Sequence, residues 1–234
     1  MLEVKDLNVA RGGLHVLWDV SIKVQKEEIV ALIGSNGAGK TTLLSTIAGI
    51  LKPLSGTILF NDREITGLPP HKIVKLGVSF VPEDRKLFTN CTVRENLLLG
   101  AYTSKEKRHT KSMLETVYQI FPLLKERENQ LSATLSGGEQ RMLAIARSLM
   151  SSPRLLILDE PSQGLSPKMT MEVLKTLKKL RDYGISVLLA EQNVHVALNI
   201  ADRVYVMETG KVTLHGKSAE LFGNEYIREA FLGI

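Results

Sequence analysis

This sequence of 234 residues has a single cysteine and no long apolar run. Cys91 is its only cysteine, so no intrachain disulfide can form, which excludes a disulfide-stapled scaffold and fits a reducing compartment. No apolar run approaches the roughly 20 residues that a membrane-spanning helix needs, and residues 1–6 have no signal-peptide core. If the protein serves a membrane process, we expect it to dock onto a partner.

Aromatic residues and net charge are scarce as well. Phe, Tyr and Trp make up 5% of the chain, which argues against a base-stacking platform. The net charge is only +5, and the densest basic stretch, residues 105–111, is typical of a solvated helix face. These figures argue against nucleic acid as a direct partner, while 44% apolar and 24% charged residues exclude a disordered chain.

The sequence does contain a series of short apolar runs, most of them followed by turn residues and a helical pattern. Runs that are apolar at every position predict strands covered on both faces, and strands alternating with helices predict a largely parallel sheet in an α/β fold. Alternation near the N-terminus predicts two more strands, and a turn near the C-terminus predicts a hairpin. The expected strands are residues 2–9, 20–24, 29–33, 78–81, 155–158, 187–190, 204–207 and 211–214.

Strand patterns stop between about residues 93 and 132, where helical periodicity takes over. The apolar side chains that share one helix face there are Met113, Val117, Ile120, Phe121 and Leu124. The spacing predicts a helical insertion within the α/β domain.

A phosphate-binding loop follows the strand at residues 29–33. Residues 34–41 satisfy G-x-x-x-x-G-K-[ST] between a buried strand and a helix, a context that disfavours a mere Gly-rich turn. Backbone N–H groups and the helix N-terminus stabilise phosphates, Lys40 can reach the β- and γ-phosphates, and the Thr41 hydroxyl can ligate Mg²⁺. The predicted nucleotide-binding residues here are Gly34, Ser35, Asn36, Gly37, Ala38, Gly39, Lys40, Thr41 and Thr42.

Two carboxylates follow the apolar run at residues 155–158. This position is the carboxyl edge of a parallel sheet, where open α/β sheets bind ligands. Asp159 suits a Mg²⁺ contact, and Glu160 suits a general base for the attacking water. Because neighbouring strand residues point to opposite faces, we expect the two carboxylates to have different roles. A solvated acidic turn is the alternative.

The element Leu-Ser-Gly-Gly-Glu-Gln at residues 135–140 precedes a predicted helix at residues 140–150. Ser136 with Glu139 three residues later predicts a capping box, and the hydroxyl, the glycines and the helix start also suit an anion site. In this order, the motifs at residues 34–41, 135–140 and 155–160 resemble those of the ATPase subunit of an ABC transporter.

The resemblance covers essentially the whole chain. It implies one ABC ATPase domain over residues 1–234, with a P-loop NTPase (RecA-like) core, an N-terminal antiparallel β subdomain and an α-helical subdomain inserted at about 93–150. It further implies Mg-dependent ATP hydrolysis, transmembrane permease partners, a peripheral location on the inner face of the cell membrane, and a head-to-tail dimer with itself or a paralogous ATPase. The residues implied to contact ATP of the partner chain are Ser136, Gly137, Gly138 and Glu139.

Finer features, at residues 81–88, 160–167, 190–193 and 224–233, resemble the second ATPase of branched-chain amino acid importers. We therefore expect uptake of branched-chain or other amino acids. Urea, short-amide and lipopolysaccharide-export systems have similar subunits and remain alternatives. A soluble ABC ATPase and a regulatory ATP-binding module without turnover are further alternatives.

Several positions depart from the usual family pattern, Ser166 and Asp84 among them, and three of them bear on the site. Glu83 stands where most members have Gln, and a carboxylate can still ligate Mg²⁺. Gln192 stands where most have a His that bonds the γ-phosphate, and its amide can donate without carrying charge. Arg11 falls near the position where most members have an aromatic residue that stacks on adenine, and a guanidinium can also stack on a base. The implied metal ligands are Thr41, Asp159 and Glu83, and the catalytic candidates are Glu160 and Gln192.

Leu87 and Phe88 are apolar residues just beyond Glu83. They predict a permease contact between the helical subdomain and residues 83–88, and the alternative is that both are core residues.

Overall fold

A computed structural model gives the structure of the protein and describes residues 1–103 and 106–227. The strands in these ranges are, in chain order, β1 (Leu2–Arg11), β2 (Leu14–Val24), β3 (Ile29–Ile33), β4 (Ser55–Phe60), β5 (Arg63–Glu64), β6 (Val78–Val81), β7 (Leu155–Asp159), β8 (Ser186–Glu191), β9 (Arg203–Glu208) and β10 (Lys211–Lys217). The helices are α1 (Lys40–Ile47), α2 (Pro70–Lys75), α3 (Val93–Gly100), α4 (Lys107–Ile120), α5 (Pro122–Glu126), α6 (Gly137–Leu149), α7 (Pro167–Lys179), α8 (Val194–Ile200), α9 (Ser218–Phe222) and α10 (Glu225–Ile227). All eight strands predicted from the sequence are present.

The central sheet has six strands in the order β10-β9-β3-β8-β7-β6. Neighbours from β9 to β6 pair in parallel, and β10 joins β9 as the predicted antiparallel hairpin. Strand β3 is buried at every position because both faces of the sheet are covered: one core takes Ile29, Ala31 and Ile33, and the other takes Val30 and Leu32. The predicted parallel α/β sheet is confirmed.

A second, antiparallel sheet has the order β2-β1-β4-β5. It lies on the same core as the P-loop helix α1, because Val4, Val9 and Ile22 share a cluster with Leu43 and Leu44. Strands β4 and β5 were missing from the sequence prediction. Burial in β4 is confined to two side chains that alternate over only three residues, and β5 is two residues long.

The chain between β6 and β7 is helical, as predicted, and contains α3 to α6. The shared apolar face is confirmed, since Val117 and Leu124 are fully buried. However, the face belongs to two helices. Helix α4 ends at Ile120 because Pro122 disfavours helical backbone at Phe121, and Pro122 then begins α5.

No helix in residues 1–103 or 106–227 combines the length and apolarity needed to cross a membrane. Lys105 of the basic stretch lies outside the described residues. So do residues 228–233 of the C-terminal motif.

Candidate active site

The loop at residues 34–41 connects β3 to α1, and glycine is required at two of its positions. A Cβ atom on Gly34 would lie 2.2 Å from the Met207 carbonyl oxygen, and one on Gly39 would lie 2.6 Å from Leu17 Cδ2. Gly39 has φ 103° and is the residue before the first turn of α1. The loop therefore packs tightly against β9 and β2 and presents the start of α1 toward the sheet edge.

Lys40 is buried within this loop. Its Nζ donates to the Gly34 carbonyl at 2.7 Å and to the Ser35 carbonyl at 3.3 Å, and it lies 3.3 Å from Glu160 Oε1. The only cation of the motif is thus held between the loop carbonyls and a carboxylate from β7's end, where incoming phosphate oxygens can take over its hydrogen bonds.

Three oxygen-bearing side chains lie beside Lys40. The Thr41 hydroxyl donates to Asp159 Oδ1 at 3.2 Å, and Asp159 is buried. Burial raises the pKa of Asp159, while the Thr41 hydrogen bond opposes that rise, and Glu160 and Glu83 raise it further. Glu83 is exposed and lines the same cavity. These are the hard oxygen donors that Mg²⁺ takes in proteins.

The two adjacent carboxylates do not lie on opposite faces as the strand argument predicted. Strand β7 ends at Asp159, and Glu160 has a left-handed backbone with φ 48°. Asp159 contacts Thr41 and Glu160 contacts Lys40, so both side chains face the loop. The left-handed conformation costs a non-glycine residue on the order of 1 kcal/mol.

All the predicted nucleotide-binding residues except Gly34 line one cavity of about 580 Å³. Glu83, Glu160 and Gln163 line it together with Arg11 and the loop. Arg11 therefore lies beside the P-loop, and Val16 lines the same cavity. Gln192 lies elsewhere, in an adjoining cavity of about 420 Å³ that shares Glu160 and Gln163 with the first.

The backbone of Gln192 reaches Glu160 directly. Its N–H donates to Glu160 Oε2 at 3.0 Å, while its side chain is exposed. Next to it, Asn193 is the N-cap of α8 and accepts a hydrogen bond from the Val196 N–H. The β8 end thus orients the Glu160 carboxylate through the backbone, a contact that residue type alone does not encode.

The element at residues 136–139 begins α6. Ser136 and Glu139 form the predicted capping box: the Ser136 hydroxyl accepts from the Glu139 N–H at 3.4 Å, and the Ser136 N–H donates to Glu139 Oε2 at 2.8 Å. Glu139 also pairs with Arg127 at 3.0 Å. Residues 136–139 are not among those that line the P-loop cavity of this chain.

Sequence reasoning did not single out Glu191 as a functional candidate. This carboxyl group is 1% exposed and accepts hydrogen bonds from the Ser162 N–H at 3.0 Å and the Ser162 hydroxyl at 2.8 Å. Burial raises its pKa from 4.5 to about 7. Its position at the end of the apolar strand β8, next to β7, is the sequence feature that could have identified it as a candidate.

The sequence profile of the ABC transporter family matches residues 17–163, which is more than half of the chain and includes the P-loop and both carboxylates. The chain belongs to the ABC transporter family. This ABC ATPase is 44% identical over 233 residues to the high-affinity branched-chain amino acid transport ATP-binding protein BraG of Pseudomonas aeruginosa, with all of both chains covered.

Two further similarities bear on the fold and on the alternatives. The ABC ATPase is 32% identical over 238 residues to the lipopolysaccharide export system ATP-binding protein LptB of Escherichia coli K12, covering 99% of this chain and 97% of that one. It matches the ADP conformation of an ATP-binding cassette of an ABC transporter with a TM-score of 0.88 and 26% identity, covering 100% and 99% of the two chains. The predicted family and fold class are confirmed.

Proposed function

We propose that this ABC ATPase binds and hydrolyses Mg·ATP to drive uptake of branched-chain or other amino acids. The observation that carries the proposal is that Lys40 contacts Glu160 and Thr41 contacts Asp159 beside one cavity, which Lys40, Thr41 and Glu160 line. The full-length similarity to BraG supports the amino-acid substrate. Lipopolysaccharide export is the second candidate, with weaker support because LptB is less similar.

In the proposed reaction, residues 34–42 hold the phosphates and Lys40 binds the β- and γ-phosphate oxygens. Thr41, Asp159 and Glu83 would ligate Mg²⁺, which neutralises phosphate charge when bound. Glu160 accepts a proton from the attacking water at a carboxylate oxygen that the Gln192 N–H orients. Arg11 stacks on the adenine base.

The proposed permease contact is an apolar groove of about 380 Å³ that is lined by the helical segment, β6 and the loop after it, α2 and the chain just after α1. Phe88, Leu99 and Tyr102 line it with exposed fractions of 51%, 46% and 65%. Leu87, however, is half-buried and packs against the hydrophobic core. Leu87 and Phe88 therefore differ in their surroundings, and of the two we propose only Phe88 as a permease contact.

The remaining parts of the proposal concern assembly. We propose that residues 1–234 form one domain with a helical subdomain at about 93–150. Two such chains, identical or paralogous, place Ser136 to Glu139 of each against the ATP of the other. The pair would lie on the inner face of the membrane by binding the permease.

The test is ATP hydrolysis by the full chain and three variants. Lys40→Ala should lose ATP binding in equilibrium dialysis. Glu160→Gln should keep binding, lose at least about 10²-fold in kcat and dimerise with ATP, because an amide cannot accept the proton. Glu115→Gln, at an exposed carboxylate of α4, is the matched control. Equal hydrolysis by Glu160→Gln and Glu115→Gln would contradict the mechanism.

A further inference from the structure

Glu191 is a buried carboxyl group with no task in the proposed reaction. The charged side chains that are buried in the described part of the chain are Lys40, Glu139, Arg141, Asp159, Glu160 and Glu191. Burying a carboxyl group is costly unless hydrogen bonds replace its contacts with water. Glu191 accepts two such bonds from one residue: the Ser162 N–H donates to Oε1 at 3.0 Å, and the Ser162 hydroxyl donates to Oε2 at 2.8 Å.

Ser162 belongs to a tight turn that begins at Glu160. The Gln163 N–H donates to the Glu160 carbonyl at 3.2 Å, and this bond closes the turn over residues 160–163. Glu160 itself has the left-handed φ of 48°. A residue other than glycine keeps such a conformation only where the surrounding contacts hold it. The position of the Glu160 carboxylate therefore depends on what holds this turn.

Three consecutive residues at the end of β8 hold the turn. The Ala190 carbonyl accepts from the Glu160 N–H at 3.0 Å, and the Gln192 N–H donates to Glu160 Oε2 at 3.0 Å. Glu191, which lies between them in sequence, holds Ser162. Ala190 and Gln192 act through backbone atoms, which ordinary substitutions leave in place. Glu191 is the one of the three whose side chain makes the contact, so its contribution can be removed by mutation.

We propose that Glu191 is a positioning residue for Glu160, which fastens the turn after β7 to the end of β8 and so keeps the Glu160 carboxylate on the Gln192 N–H. The inference rests on the proposed function, in which Glu160 accepts a proton from the attacking water. A misplacement of about 1 Å can cost roughly 10²-fold in rate. Loss of the Glu191–Ser162 contact should therefore slow hydrolysis and leave the binding of ATP to the P-loop unchanged.

The experiment measures kcat and KM for Mg·ATP with the full chain, with kcat expressed per ATP-binding site. Glu191→Leu removes both hydrogen bonds and should lower kcat at least about tenfold, while KM stays within about threefold of the parent. Glu191→Gln should restore kcat to within about threefold. Its amide oxygen can accept from the Ser162 N–H, and its amide nitrogen can donate to the Ser162 hydroxyl oxygen.

A double-variant comparison shows whether Glu191 acts through Glu160. Single-turnover release of labelled phosphate measures the residual hydrolysis of Glu160→Gln with and without Glu191→Leu. In this background Glu191→Leu should change the rate by less than about twofold, because the base that it positions is already gone. Equal fractional losses with and without Glu160→Gln would contradict the inference, since Glu191 would then act on another part of the molecule.

The matched control is Glu95→Leu. Glu95 Oε2 accepts from the Thr92 N–H at 2.7 Å and from the Thr92 hydroxyl at 2.9 Å, so it loses the same two kinds of donor, but at the start of α3. Its kcat and KM should equal those of the parent. Thermal melting checks the fold of each variant. Ser162→Ala, which removes only the hydroxyl donor, carries the test if Glu191→Leu does not fold, and it should lower kcat at least about threefold.

An unchanged kcat in Glu191→Leu, or in Ser162→Ala if the first variant does not fold, would overturn the inference. So would an equal loss of kcat in Glu95→Leu, because any lost carboxylate contact would then have the same effect. Hydrolysis by Glu160→Gln at the rate of the parent would instead refute the proposed base, and with it the mechanism on which the inference rests.

Discussion

Glu191 offers a prediction whose size follows from the structure. Its carboxyl group is 1% exposed, and burial raises its pKa from 4.5 to about 7. The perturbation is Glu191→Gln, which keeps the shape of the side chain and removes the titration. Ser162, whose N–H and hydroxyl both contact this group, can still donate to the amide oxygen.

The direction in which stability changes with pH follows from the linkage between proton binding and folding. In the unfolded chain Glu191 loses its proton near pH 4.5, whereas in the folded chain it keeps the proton up to about pH 7. The folded state therefore loses stability as the pH rises from 4.5 to 7, and the full effect is about 3 kcal/mol. Because Glu191→Gln lacks this loss, its advantage in unfolding free energy should grow by about 2–3 kcal/mol between pH 5 and pH 8.

The assay is urea or thermal unfolding of the nucleotide-free chain and the variant at both pH values, in EDTA. For a chain of this length, the increase in the stability advantage of Glu191→Gln corresponds to a difference of roughly 5–10 °C in Tm. Glu95→Gln is the control. Glu95 is exposed, and its pKa is lowered chiefly by the Thr92 N–H. Its stabilising effect is lost only as the pH falls below 4.5, so the variant's deficit should be nearly constant from pH 5 to pH 8.

The reasoning is refuted if the difference in unfolding free energy between Glu191→Gln and the parent is the same at pH 5 and pH 8. Any loss or gain of packing from the substitution affects both pH values equally and cancels in that comparison. A pH-independent difference would mean that Glu191 is already ionised at pH 5 in the folded chain.

Other predictions concern turnover and coupling. Gln192→Ala keeps the backbone N–H that contacts Glu160. Because the resemblance implies that the Gln192 amide donates to the γ-phosphate, this variant should still lower kcat by roughly 10²-fold, the scale of losing one donor to developing charge, and a change within about twofold in steady-state assays would remove Gln192 from the catalytic list. Gln192→His should retain hydrolysis and add a dependence on pH between 5 and 8, because imidazole titrates there. Phe88→Ser should leave the melting temperature nearly unchanged and abolish stimulation of hydrolysis by a reconstituted permease, whereas Leu87→Ser should lower the melting temperature.

Much of the fold was predictable because its strands are buried on both faces. An apolar run such as Ile29–Ile33 is then visible without any neighbour. Local chemistry also predicted the Ser136 capping box and the start of α1 at Lys40. Strand β4 was not predicted because it is defined by its pairing with β1, whose residues lie 47 to 58 positions away in sequence, and not by its own pattern.

Site residues were predictable from the sequence only where they belong to a recognisable motif. Motif spacing identifies the P-loop residues and Asp159 as candidates, but Arg141 and Glu191 are ordinary charged residues in sequence. Their burial depends on the elements that pack around them, which residue types alone do not reveal. The same holds for the Arg85–Gln140 contact, which joins residues 55 positions apart.

Asp159 and Glu160 face the P-loop together because β7 ends between them. Regular alternation would have turned one carboxylate away from the P-loop. Ending β7 at Asp159 and placing Glu160 in a left-handed conformation instead directs both at consecutive residues, Thr41 and Lys40. The Glu160 N–H still donates to the Ala190 carbonyl at 3.0 Å, so the sheet holds the conformation in place. A backbone cost on the order of 1 kcal/mol thus brings a proposed metal ligand and a proposed base into contact with the same loop.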